Sequence, residues 1–64
     1  MPISRYLYAA RYTHQDGTWS EEAVCVRAET EAAARAEVDT ATTRYPTAVG
    51  ATKTLRLVLT TADV

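Results

Sequence analysis

One stretch of this chain carries helical character, and its place in the order of elements decides what the rest can become. Glu31-Ala32-Ala33-Ala34-Arg35-Ala36-Glu37 is made almost wholly of strong helix formers. Thr30 stands before it as an N-cap whose hydroxyl can accept a bond from an orphan amide. Glu31 in the first turn and Arg44 in the last complement the helix dipole. Tyr45-Pro46 ends the segment, because the residue before proline disfavours helical φ/ψ. The spacing therefore predicts one helix from Thr30 to about Tyr45. A single helix can cover only one face of a sheet.

The sheet comes from the flanking segments. Ile3–Thr13 is rich in Tyr and Leu with no breaker, and Thr18–Ala28 is densest in Val24-Cys25-Val26. Between them, His14-Gln15-Asp16-Gly17 supplies a turn, so the first two strands form a hairpin. Thr47-Ala48-Val49-Gly50 is expected to be a loop, Thr52–Thr60 the third strand, and Thr61–Val64 a frayed tail. The order is ββαβ, in one domain spanning residues 1–64.

A right-handed helical crossover makes strands two and three parallel and sends strand three to the far side of strand one. The expected fold is thus α+β: a three-stranded antiparallel or mixed sheet in the order 2-1-3, with the helix on one face. The helix presents a narrow stripe of Ala34, Val38, Ala41 and Tyr45. That stripe is expected on the face bearing Val24, Val26, Ala28, Leu55, Leu57 and Leu59, with Lys53 on the same side. In strand one, Leu7 and Ala9 oppose Tyr6, Tyr8, Ala10 and Tyr12. The tyrosines are expected on the uncovered face, beside Trp19, Cys25, Arg27, Arg56 and Val58. Glu31, Glu37 and Asp39 fall on the helix side, separating acidic from basic surface.

Composition narrows the function. At 64 residues, with alanine abundant and no phenylalanine, the core is thin and the domain near the lower limit for folding unaided. A lone Cys25 cannot close a disulfide within the chain, and His14 with Cys25 is too small a ligand set for structural zinc. No metal and no cofactor are expected. Docking onto a protein partner, or onto a second copy as a homodimer, is the remaining source of support. A net charge of −1 argues against a general nucleic-acid binder. No segment approaches the roughly 20 apolar residues that span a bilayer, and the first residues lack the pattern of a secretory signal. The expectation is a cytoplasmic protein with no membrane partner.

Catalytic signals are weak. His14 sits in a turn without a nucleophile motif, and Glu21-Glu22 in a strand point to opposite faces. Cys25 has no evident base, and Gly17 and Gly50 form no phosphate-binding loop. The expected activity is binding without catalysis, through Tyr6, Tyr8, Tyr12, Trp19, Arg27 and Arg56. Tyr, Trp and Arg are enriched among interface anchors. The alternative is a nucleic-acid-binding or transcription-linked module, with rings stacking on bases and Arg27, Arg56 and Lys53 meeting phosphates.

The run Val26-Arg27-Ala28-Glu29-Thr30-Glu31-Ala32-Ala33-Ala34-Arg35 resembles strand-to-helix junctions of small phage and mobile-element proteins, among them anti-CRISPR inhibitors. That resemblance covers the strand-helix-strand portion and implies a protein that occupies a surface of a larger host complex. The hairpin Tyr12–Arg27 with Thr30 and Ala33-Ala34 is similar to arm-type DNA-binding domains of phage integrases, which place three strands before the helix. The Asp16-Gly17 turn and Glu/Ala helix also resemble antitoxins of the HicB type, with the same departure.

Overall fold

A computed structural model of the chain describes residues 2–43 and 50–62. Strand β1 (Ser4–Thr13) and strand β2 (Trp19–Ala28) form the hairpin, antiparallel from Ser4↔Ala28 to Thr13↔Trp19. Its turn is held by Asp16, whose carboxylate accepts bonds from the Thr18 hydroxyl (2.6 Å) and the Thr18 N–H (3.0 Å). Those two bonds, the hydroxyl's first, hold the Asp16 carboxyl below its ordinary value of 3.8. Gly17 takes φ 89°, the left-handed region where a Cβ would be strained.

Helix α1 (Glu31–Ala41) starts as its cap predicts, with the Thr30 hydroxyl accepting from the Ala33 N–H at 3.1 Å. It is shorter than the sequence suggests. Thr42 closes it, with both its N–H and its hydroxyl donating to the Val38 carbonyl. The expected contributions of Arg44 and Tyr45-Pro46 lie outside the described residues. A cation does serve the C-terminus, but from across the fold. The Lys53 ammonium donates to the Asp39 and Thr42 carbonyls at 2.9 and 3.0 Å and pairs with the Asp39 carboxylate at 2.7 Å.

Strand β3 (Thr52–Ala62) pairs antiparallel with the free side of β1, giving the order β2-β1-β3. β2 and β3 are the edges and run parallel to each other, as the crossover requires. β3 continues through Thr61 and Ala62, where fraying was expected. Helix α1 lies over β1 and β2.

The core departs from expectation in two respects. Tyr6, Tyr8 and Tyr12 are buried on the helix side, Tyr8 at 0% exposure, rather than displayed on the open face. Tyr6 and Tyr8 pack with Ala34 and Val38, and Val24, Val26, Ala28, Leu55 and Leu57 close around them. The reason is register. Every β1–β2 pair joins odd to odd or even to even, so Tyr6 stands opposite Val26 and Tyr8 opposite Val24. Directly opposed residues share a face, so the valines and tyrosines must go under the helix together. Volume demands the same arrangement. Among the described residues, the inward stripe of the helix and its C-cap is Ala34, Val38 and Thr42, with Ala41 exposed. Bulk to fill the gap must then come from the sheet, and each buried aromatic ring removes on the order of 150–250 Å² from water.

Leu59 is the second departure. Tyr8 pairs with Leu57, but Leu7 pairs with Leu59, so β3 carries one extra residue, Val58, as a β-bulge. Beyond it the alternation of β3 is inverted. Leu59 leaves the leucine face and stands beside Leu7 on the uncovered side, 54% exposed.

Candidate functional site

The uncovered face is laid out by the two registers. Read across β2, β1 and β3, its rows are Arg27–Arg5–Thr61, Cys25–Leu7–Leu59, Ala23–Ala9–Arg56, Glu21–Arg11–Thr54 and Trp19–Thr13–Thr52. Successive rows are about 6.8 Å apart, two residues along a strand. An apolar band of Cys25, Leu7 and Leu59 therefore lies between basic rows, with Ala23 and Ala9 behind it and Val58 exposed at the bulge.

Among the described residues, Arg5, Arg11, Arg27 and Arg56 lie on this face, against a single acid, Glu21. Among the described residues the face carries +3, and the remainder, Arg35 and Lys53 against six carboxylates, sums to −4. Arg11 is fixed from two directions. Its Nε donates to Glu21 Oε2 at 3.2 Å, and its guanidinium lies 4.1 Å from the centre of the Trp19 ring. Trp19 is itself 57% exposed at the corner of the sheet.

Of the sequence-predicted anchors, Trp19, Arg27 and Arg56 reach this face, whereas Tyr6, Tyr8 and Tyr12 are removed from it by burial. Lys53, a candidate phosphate ligand, is committed to the helix terminus on the other side. Arg5, Arg11, Leu7 and Leu59 are the residues the sequence reading missed. The expectation that the tyrosines of β1 line the open face put its odd positions on the opposite side.

The helix side holds other polar groups. Glu21 and Glu22 are split between faces as their adjacency predicts, Glu21 on Arg11 and Glu22 accepting from the Tyr12 hydroxyl at 2.6 Å. His14 Nε2 lies 3.3 Å from the Ser20 hydroxyl. A groove of about 620 Å³ runs between α1 and β3, lined by Ala32, Arg35, Ala36, Asp39, Lys53, Thr54 and Leu55. Asp39 on its rim is held below the ordinary carboxyl value of 3.8, first by the bond from Lys53 and then by its charge. Among the described residues, no three His, Cys, Asp or Glu side chains gather into a metal site. No helix formed by those residues is long and apolar enough to cross a membrane.

No family model matches the chain, and no curated protein or solved structure shows significant similarity to it.

Proposed function

We propose that this chain is a non-enzymatic binding protein that docks onto another protein through the uncovered face of its sheet. One observation carries the reading: leucine side chains occupy the middle of an uncovered face, bordered by arginines. An apolar centre inside a charged border is how protein interfaces are built. A second helix to shelter that centre is absent from the described residues. The resemblance of the strand-to-helix junction to phage inhibitors adds a mode of action, in which the chain occupies a surface of a larger complex.

The arginines also favour a second reading, a nucleic-acid-binding module. The two readings separate by mutation. In the first, Leu59→Asp abolishes capture of the protein partner from lysate and leaves the circular dichroism spectrum and Tm unchanged. In the second, Arg27→Glu and Arg56→Glu dominate, and the salt dependence of DNA or RNA binding becomes shallower. Capture of the same partner by Leu59→Asp at full yield overturns the first reading.

A further inference from the structure

We infer that the occupant of the uncovered face is an acidic protein surface, carboxylates around an apolar patch, and neither a second copy of this chain nor a nucleic acid. The inference rests on the binding role of that face and names the chemistry of the partner.

Charge complementarity selects it. The rows Arg27–Arg5 and Ala9–Arg56 lie to either side of the Cys25–Leu7–Leu59 band. A partner burying that band must bring its own residues against guanidiniums on both sides. Carboxylates suit that position, since the planar guanidinium fork matches a carboxylate with two parallel bonds. It is the sign of the face, rather than any unpaired guanidinium, that selects the partner.

Self-association through the face fails on the same ground. A two-fold contact is isologous, the same patch meeting itself, so +3 would be pressed against +3. Turning the basic face of one copy onto the acidic helix side of the next removes the repulsion but does not close. Such head-to-tail contacts generate filaments or rings rather than a dimer.

Nucleic acid fits less well than an acidic protein, despite sharing the negative charge. Sheets that bind single strands offer aromatic rings on which bases stack. Here Tyr6, Tyr8 and Tyr12 are buried on the other side of the sheet, and among the described residues the ring on this face, Trp19, stands at a corner with Arg11 already over it. Leucine, not an aromatic, holds the middle. The −4 on the other described residues also opposes approach to a polyanion.

The test uses the full chain as bait for a displayed library of random peptides, with a labelled oligothymidine and sedimentation velocity alongside. Recovered peptides should be enriched in Asp and Glu interspersed with apolar residues. Their affinity should fall on the order of tenfold in Arg56→Glu and again in high salt, and Leu59→Ser should weaken them as well. Peptides without acidic enrichment that still lose affinity in Leu59→Ser would overturn the acidic partner while leaving the face as the binding surface. Peptides indifferent to both substitutions would overturn the face itself. Oligothymidine binding that Arg56→Glu abolishes, or a dimer that Arg56→Glu dissociates, would each overturn the proposal in favour of that occupant. Both substitutions are at exposed positions, so an unchanged melting curve separates lost binding from lost folding.

Discussion

The two sides of β1 are made by one run of ten residues, yet they do opposite work. Its even positions, Tyr6, Tyr8, Ala10 and Tyr12, are sealed beneath or beside the helix. Its odd positions, Arg5, Leu7, Ala9, Arg11 and Thr13, form the middle column of the uncovered face. Alternation along a strand thus separates what stabilises this domain from what is available to a partner. The aromatic rings went to the core because a helix offering Ala34, Val38 and Thr42 cannot fill it. The arginines went outward because an isolated guanidinium cannot be buried without a heavy desolvation cost.

Three measurements break or sharpen that contrast. Tyr8→Ala should cost about 3–5 kcal/mol, as for other aromatic truncations in cores. In a domain this small that is enough to unfold most of the population. Leu59→Ala on the other side should cost less than about 1 kcal/mol. Urea denaturation of both variants checks the pair, and equal losses would erase the distinction between the faces.

The Tyr8 hydroxyl offers a finer test, because it is buried without a hydrogen-bond partner among the described residues. Tyr8→Phe removes that unmet group while keeping the ring, and should raise stability by up to about 1 kcal/mol. A clear loss would show that the oxygen holds a bond after all.

The smallest effect concerns pH. Because the folded-state value of Asp39 lies below 3.8, its contribution is complete above that pH. It drains away as the solution is acidified through the lowered value. Lys53→Met should flatten this acidic limb of the stability curve in thermal melts taken across that range. An unaltered limb would remove Lys53 as its cause.

Much of this arrangement was legible beforehand, and the failures have physical explanations. The Asp16-Gly17 turn, the Thr30 cap and the Ala/Glu helix are local signals, and they produced the elements where they were expected. The strand order followed from the handedness of the crossover. Facing is not local. A strand such as Tyr6-Leu7-Tyr8-Ala9 is apolar on both sides, and only its pairing decides which side is inward. The length of the His14–Thr18 connection did contain that information, because it pairs Tyr8 with Val24, already placed on the helix side. The bulge at Val58 had no such signature: Leu55 to Leu59 alternates without interruption.

That supernumerary valine has an effect beyond redirecting Leu59. β3 is an edge strand, and its outer row of amides and carbonyls is a template on which a stray chain could crystallise into an extended sheet. A kink partway along interrupts the template, since a regular newcomer cannot stay in step on both sides of it. Excising Val58 would leave every β1–β3 partnership intact while straightening the border, and so make fibril growth from that edge easier.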